Sequence, residues 1–245
     1  MIGSKIIRYD EVESTSKSIA NMLENGLAQH GMVIMAENQT AGRGQRGAIW
    51  QSEKGKNILF SVYLQTPGLL IEHAEALSHF VSLAICDCLH EMDIPTKIKW
   101  PNDILIDSLK IAGILIENQL QGSRILGSII GIGINYEKTQ NIPHGSTYFQ
   151  ANTSSTISKT LFSEKLIERL NLRYEQLLRH DYTTLKKDFL DNLWLLNEPS
   201  KFQKNETIFE GIIRGTDENG KLLIEQEGEL KSYDLKELKF IARNV

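Results

Sequence analysis

Lys97-Ile-Lys-Trp-Pro-Asn-Asp-Ile-Leu-Ile-Asp-Ser-Leu-Lys-Ile-Ala-Gly-Ile-Leu-Ile-Glu-Asn118 is followed, after a short polar break, by Arg124-Ile-Leu-Gly-Ser-Ile-Ile-Gly-Ile-Gly-Ile-Asn135. Their β-branched residues predict four strands that follow one another through short turns, at 97–100, 104–107, 111–118 and 124–135. Helical spacing of apolar residues occurs elsewhere, at 71–91 and 162–196. Strands that cluster in this way are typical of an α+β fold rather than a regularly alternating βαβ fold.

The flanking segments extend this α+β reading. A hydroxyl-rich helix start is expected at Ser14-Thr-Ser-Lys17, and strands at 32–37 and 57–64 are joined by a long glycine-rich connection. One apolar stripe is expected along the helical region after Phe162, formed by Leu166, Ile167, Leu170, Tyr174, Leu177 and Leu178. After Pro199, short strands separated by hairpin signals predict a small β appendage. We therefore predict two domains, 1–196 and 197–245.

Composition excludes several classes of function. The 245 residues are 41% hydrophobic, and 27 lysines and arginines against 31 acids give a net charge of −4. This balance disfavours nucleic acid and anionic membranes as partners. The most apolar stretch, 125–134, is about half the roughly 20 residues of a membrane helix. The N-terminus shows no targeting segment, and Cys86 and Cys88 suggest reduced thiols, so we expect a cytoplasmic protein without a membrane span.

The long connection reads Gln39-Thr-Ala-Gly-Arg-Gly-Gln-Arg-Gly-Ala-Ile-Trp50. Its glycines allow main-chain amides to approach an anion, and Arg43 and Arg46 could bond phosphate or carboxylate. A surface loop with solvated arginines fits the same spacing equally well. The segment lacks the lysine and Ser/Thr ending of a P-loop.

Two further segments could carry chemistry. In Lys99-Trp-Pro-Asn-Asp103, the proline fixes a turn that aims an amide and a carboxylate, and Asp103 could bind Mg²⁺ beside phosphates. An ordinary turn is the alternative. Lys110 begins an apolar strand, where it either reaches solvent or projects into a site as a fixed cation.

Taken together and in this order along the chain, the glycine-rich connection, the segment Lys99 to Asp103 and the strand that Lys110 begins resemble the biotin protein ligase family. The resemblance runs from about Tyr9 to the C-terminal strands. It implies a mixed sheet flanked by helices, akin to class II aminoacyl-tRNA synthetase cores, followed by an SH3-like β domain. It also implies that biotin and ATP, with Mg²⁺, form biotinyl-5′-AMP. A lysine of biotin carboxyl carrier protein would then displace AMP.

The resemblance assigns roles by motif position. The implied catalytic residues are Lys110, Arg43 and Asp103, with Asp103 also associated with the metal. The implied biotin-binding residues are Ser14, Thr15, Ser16, Gln39, Arg43, Gly44, Gln45, Lys110, Gly131 and Gly133. The implied ATP-binding residues are Arg43, Arg46, Trp50, Lys99, Asn102 and Asn135. Trp100 and Pro101 are expected to be structural.

Two positions depart from the family pattern. Gln45 and Ala48 stand where arginines are common, so the loop carries less charge than usual, and how tightly biotinyl-AMP is held is left open. Gln45 can still donate hydrogen bonds, so we expect activity to be kept. A lipoate or octanoate ligase of the same fold is the main alternative, although its Arg-Arg-x-Ser-Gly-Gly-Gly type of loop is missing.

Other classes remain as alternatives. A DNA-binding regulator would need an extra helix-turn-helix domain, for which we expect no room, and an RNA-binding loop would predict salt-sensitive binding without adenylation. The sequence is compatible with a monomer or a homodimer.

Overall fold

Seven strands form one mixed sheet in the computed structural model, which describes residues 1–140, 143–154, 156–235 and 237–241. The strands are β1 (Lys5–Val12), β2 (Met32–Gln39), β3 (Asn57–Leu70), β4 (Lys97–Lys99), β5 (Asp103–Ile106), β6 (Leu109–Gln121) and β7 (Arg124–Asn135). Their order across the sheet is β1-β2-β3-β7-β6-β5-β4. The β1–β2 pair is parallel and the others are antiparallel. The expected mixed sheet is confirmed.

Four α-helices flank this sheet within the described ranges: α1 (Thr15–Glu24), α2 (Glu75–His90), α3 (Lys159–Leu178) and α4 (Tyr182–Asp191). Alternate residues of a strand point to opposite faces, so each face receives its own apolar layer. On β2, Val33 belongs to the large core that contains α2, whereas Ile34 packs with Ile19 of α1 in a smaller cluster.

Several boundaries differ from the sequence prediction. The edge strand β1 was missed because its residues are mostly exposed and show no alternation. The predicted helix at 71–91 begins with a 3₁₀ turn, and α2 itself starts at Glu75. Leu178 was wrongly placed on the buried stripe of α3, since it is 58% exposed in the last turn. The hydroxyl cap expected for α1 is also wrong: Thr15 N donates instead to Gln39 Oε1 at 2.8 Å.

A second, antiparallel sheet follows the helices. It contains β8 (Pro199–Lys204), β9 (Thr207–Thr216), β10 (Leu222–Gln226), β11 (Glu229–Tyr233) and β12 (Lys239–Phe240). Its order is β11-β10-β9-β8-β12, as expected for a small β domain. The Trp100 indole donates to Gly220 O at 2.9 Å and ties this sheet to the larger one. The boundary at 196/197 stays a prediction.

Two predictions about composition have structural counterparts. Cys86 and Cys88 are free and buried, and burial raises the pKa of each thiol to about 12, so both stay protonated at neutral pH. Of the helices in the described ranges, none is long and apolar enough to cross a membrane.

Candidate active site

The β5–β6 hairpin brings two of the expected catalytic groups together. Asp103 pairs with Gly113 in the ladder, and Lys110 lies at the start of β6. Lys110 Nζ is 2.6 Å from Asp103 Oδ1, and both side chains remain partly exposed. They line a cavity of about 220 Å³, termed here the cation-bearing cavity, together with Asn102 and the glycine-rich loop. An ion pair facing a cavity can exchange its internal partner for a charged ligand.

Thr15 and Ser16, which line this cavity, form a cluster of hydroxyl groups with Ser61, which lies outside its described lining. Thr15 Oγ1 lies 2.7 Å and Ser16 Oγ 3.0 Å from Ser61 Oγ, and Thr15 Oγ1 also donates to Gln39 Oε1 at 3.1 Å. Ser14, Thr15 and Ser16 are all buried. Hydroxyls both donate and accept, so the cluster can bond a ligand that carries adjacent N–H and C=O groups. Sequence reasoning missed Ser61, whose signal is one hydroxyl in the apolar run 58–62.

Trp50 forms the wall of the cation-bearing cavity. Its ring lies over Gly133, where a Cβ would overlap Trp50 Cε2. Gly131 and Gly133 were expected to let a ligand lie against the strand. Here the Trp50 ring covers Gly133, and Ser16 Oγ lies 2.7 Å from the position of a Cβ on Gly131. The Lys110 ammonium lies 5.5 Å from the centre of the Trp50 ring, within the range of a cation–π contact.

A second cavity, of about 690 Å³, also uses Trp50 as a wall. Its described lining contains two carboxylates, Glu53 and Glu137, and no lysine or arginine, and it is termed here the cation-free cavity. The side chain of Asn135 is engaged internally: its Oδ1 accepts from Asn57 at 3.2 Å and its Nδ2 donates to Thr147 O at 3.1 Å. Trp50 Nε1 and Ser52 Oγ are buried without a hydrogen-bond partner among the described residues. They are therefore the groups most in need of a ligand partner in this wall.

The expected cations divide into three cases. Arg43 lines the cation-bearing cavity, but its guanidinium bonds both oxygens of Glu117, at 2.7 and 2.9 Å. Sequence reasoning missed Glu117, although it lies near the end of the quoted stretch 97–118. The main chain of Arg46 lies in a short 3₁₀ turn, Gln45–Gly47, and its side chain is outside the described part of the structure.

Lys99, the third case, takes a different position from the one expected. Its ammonium lies 5.2 Å from the Phe240 ring and 5.8 Å from the Trp194 ring, and Lys99 is absent from the described lining of both cavities. Burial lowers the pKa of Lys99; Asp103 partly offsets this effect, and Lys110 lowers the pKa further. The neighbouring Asn102 does line the cation-bearing cavity, and its Nδ2 donates to Ile114 O.

Comparisons with known proteins now decide the family. Residues 10–135 match the model of the biotin/lipoate A/B protein ligase family. The chain belongs to this family. A bifunctional ligase/repressor, BirA, of Bacillus subtilis (strain 168) is 31% identical over 240 residues, covering 95% of this chain and 73% of that protein. A biotin–[acetyl-CoA-carboxylase] ligase of Paracoccus denitrificans is 28% identical, covering 78% of this chain and 82% of that protein.

Solved structures agree with this family assignment. The Aquifex aeolicus biotin protein ligase, in complex with biotin and ATP, aligns with a TM-score of 0.76 at 26% identity. The match covers 98% of this chain and 100% of that one. The mixed sheet and the small second sheet are therefore the fold of a ligase of this family.

The family motifs come together in space only in part. The described lining of the cation-bearing cavity holds all ten residues expected to bind biotin: Ser14, Thr15, Ser16, Gln39, Arg43, Gly44, Gln45, Lys110, Gly131 and Gly133. Trp50 and Asn135 line the cation-free cavity. Lys99 lies apart from both, and its role in binding ATP stays a prediction.

Proposed function

We propose that this chain activates biotin with ATP, giving biotinyl-5′-AMP and pyrophosphate, and then transfers biotin to a lysine of a carboxylase's biotin-carrier protein. One observation carries the proposal. The Lys110–Asp103 pair lies in a charged cavity that the hydroxyls of Thr15 and Ser16 also line, and Trp50 is a wall shared by this cavity and a larger one without lysine or arginine. Biotin carries an anionic carboxylate and a polar ureido ring, whereas the adenosine part of ATP needs no cation, so the two cavities suit biotin and the nucleoside.

In the first step, an oxygen of the biotin carboxylate attacks the α-phosphorus of ATP, and the bond from phosphorus to pyrophosphate breaks. Two negatively charged groups must approach each other, so the site has to neutralise charge more than it has to move a proton. Lys110, which faces the cavity from the start of β6, is the group for this role. We assign it to bind both the carboxylate and the α-phosphate, leaving Asp103 as its partner when substrates are absent.

In the second step, the lysine nitrogen of the carrier attacks the biotinyl carbonyl carbon. A C–N bond forms, the C–O bond to AMP breaks, and the amine loses a proton. The leaving AMP carries its charge on phosphate, so Lys110 again faces the developing negative charge. Holding the adenylate against Trp50 and the hydroxyl cluster makes this attack effectively intramolecular once the carrier docks.

Magnesium enters this proposal as part of the ATP substrate. No group of three His, Cys, Asp or Glu side chains that could hold a metal occurs among the described residues. Asp103 is the one carboxylate in the described lining of the cation-bearing cavity, and Lys110 already pairs with it. Mg²⁺ is commonly held by substrate phosphates and one or two carboxylates, and a single carboxylate fits that mode.

Lipoate or octanoate is the alternative acid. Both are anions with an apolar body, so they would use Lys110 but would make no hydrogen bonds to the hydroxyls of Thr15 and Ser16, which line the cavity. The ureido ring of biotin offers N–H and C=O groups, which hydroxyls can bond as acceptors and donors. This hydroxyl cluster therefore favours biotin. For partners and location, the proposal is a monomer or homodimer in the cytoplasm that binds no nucleic acid.

The decisive experiment follows the exchange of labelled pyrophosphate into ATP in the presence of biotin, lipoate or octanoate. We expect exchange with biotin alone. Exchange with lipoate or octanoate, but not biotin, would overturn the choice of acid. Exchange with none of the three acids would overturn adenylation itself, and filter binding of RNA at low and high salt would then test a binding role.

A further inference from the structure

A third cavity, of about 260 Å³, lies where the two sheets meet, and is termed here the joint cavity. Its walls come from α2, the turn before β5, β6, α4 and the second sheet. It shares Gln45, Asn102 and Ile114 with the cation-bearing cavity. The joint cavity therefore reaches from the junction of the sheets to the edge of the proposed reaction centre.

Two polar atoms in this cavity lack partners. Glu75 Oε2 and Thr216 Oγ1 are buried, and neither has a hydrogen bond within the described part of the chain. Thr216 is only 7% exposed. The other carboxylate oxygen, Glu75 Oε1, accepts from Lys186 Nζ at 3.2 Å. Buried acceptors without donors are uncommon in native proteins, so each of these two atoms calls for a ligand.

The rest of the wall indicates what that ligand looks like. Apolar surface from Trp100, Ile116, Phe189 and Leu235 surrounds the two acceptors. A carboxylate oxygen needs a hydrogen-bond donor, and a cationic donor is the strongest one. Burial raises the pKa of Glu75, and Lys186 only partly offsets that effect, so a second cation would further stabilise the carboxylate. An aliphatic chain that ends in an ammonium group satisfies both the walls and the acceptors.

The hydrogen bonding of its carboxylate distinguishes the joint cavity from the other two. In the cation-bearing cavity, the one carboxylate of the described lining, Asp103, pairs with Lys110. In the cation-free cavity, Glu137 pairs with Lys56 at 2.7 Å, and Glu53 Oε2 accepts from Gln140 N at 2.9 Å. Among the described residues, the joint cavity alone presents a buried carboxylate oxygen without a partner.

We infer that the joint cavity is the entry route of the acceptor lysine, and that Glu75 Oε2 binds its ammonium group, which loses a proton to solvent before the amine passes Asn102 to the biotinyl carbonyl. This inference rests on the proposed function. Glu75 is thus a binding residue for the second substrate, and adenylation does not involve it. Thr216 Oγ1 supplies a second acceptor on the same route.

The test measures adenylation and transfer to the carrier separately in the variant Glu75→Gln. This substitution keeps the shape of the side chain and removes its charge. Biotin-dependent pyrophosphate exchange should stay within about twofold of wild type. The KM for a purified biotin-carrier domain should rise about tenfold or more, as expected for loss of a charged hydrogen bond. Hydroxylamine, an amine that is uncharged at neutral pH, should form biotinyl hydroxamate at the wild-type rate. Glu72→Gln is the matched control, because Glu72 is exposed and outside the cavity.

A second variant distinguishes binding from support of the fold. Lys186→Gln breaks the same ion pair but leaves the carboxylate, so it should leave the KM for the carrier unchanged. Equal losses in Glu75→Gln and Lys186→Gln would overturn the inference in favour of a structural pair, as would equal losses of exchange and transfer in Glu75→Gln. Normal transfer by Glu75→Gln would also overturn it. If the wild type shows no exchange, the proposed function fails instead.

Discussion

The two cavities beside Trp50 differ in the charged groups that line them. One holds Lys110, Arg43 and Asp103, and the other has two carboxylates, Glu53 and Glu137, and no lysine or arginine in its described lining. Both use the Trp50 ring as a wall, so a single aromatic ring separates them. The difference teaches that the cations of the two described linings are confined to the cavity where the proposed reaction brings two anions together.

Removing Lys110 should break this contrast most completely. In Lys110→Ala, Asp103 loses its partner, and the charged groups of the lining change from two cations and one carboxylate to one of each beside two anionic substrates. We expect biotin-dependent pyrophosphate exchange to fall about 10³-fold, comparable to the loss of a key transition-state donor. Rates with saturating ATP and biotin test this, with Lys54→Ala, an exposed lysine paired with Asp10, as the control. Exchange within tenfold of wild type would exclude the assigned role of Lys110.

Moving the ring that divides the cavities should affect both at once. In Gly133→Ala, the new Cβ would overlap the Trp50 ring, so the indole must shift. We expect kcat/KM to fall about 100-fold for biotin and for ATP alike, as a displacement near 1 Å can cause. In Gly68→Ala, the new Cβ meets nothing within 4 Å, and it should retain wild-type kinetics. An effect confined to one substrate would show that Trp50 serves only one cavity.

Acid should act on the fold and not on either cavity, because the described linings of both lack histidine. Burial, and then the charge of Lys186, lowers the pKa of His79 to about 3 in the folded chain. Below the ordinary pKa of 6.5 the unfolded chain binds the extra proton, so stability is lost as the pH falls from 6.5 towards 3. The slope contributed is about 1.4 kcal/mol per pH unit.

Denaturant titrations at pH 7, 6, 5 and 4 measure this slope. His79→Gln should flatten it, whereas His144→Gln, at an exposed position, should not. Parallel slopes in wild type and His79→Gln would mean that folding does not lower the pKa of His79.

Adding a positive charge to the glycine-rich loop should slightly increase the difference in charge between the two cavities. Gln45 lines the cation-bearing cavity where an arginine is common in the family, so Gln45→Arg should slow release of biotinyl-AMP about fivefold, the factor that 1 kcal/mol of added binding gives. Trapping of released biotinyl-AMP by hydroxylamine measures the rate. Gln51→Arg, in the wall of the cation-free cavity, should give no such slowing. Equal release from Gln45→Arg and wild type would show that Gln45 already compensates.

Local patterns predicted much of the fold, because β7 and the glycine-rich loop are encoded by residues close in sequence. Strand β1 was not predicted, because this exposed edge strand shows no alternation of apolar and polar residues. For the site, motif resemblance predicted Lys110 and Asp103 as catalytic residues, but not the ion pair between them. Ser61 and Glu117 escaped because a single polar residue inside an apolar strand is unremarkable until the sheet places it beside Thr15 or Arg43.

For Lys99, the motif suggested a position that differs from the one in the structure. Its motif suggested a phosphate contact, but its ammonium lies against Trp194 and Phe240, more than ninety positions further along the chain. Asn135 likewise lies where expected, yet its amide bonds Asn57 and Thr147. Long-range packing of this kind leaves no mark in the local sequence.

The most direct measurement is a crystal structure with a non-hydrolysable analogue of biotinyl-5′-AMP. The account predicts that the ureido ring lies beside Thr15, Ser16 and Ser61 and that the phosphate lies within hydrogen-bond distance of Lys110 Nζ. It also predicts that the adenosine lies in the cation-free cavity, on the other side of Trp50. An analogue with its adenosine in the cation-bearing cavity, or with its phosphate away from Lys110, would contradict the separation of charge on which the account rests.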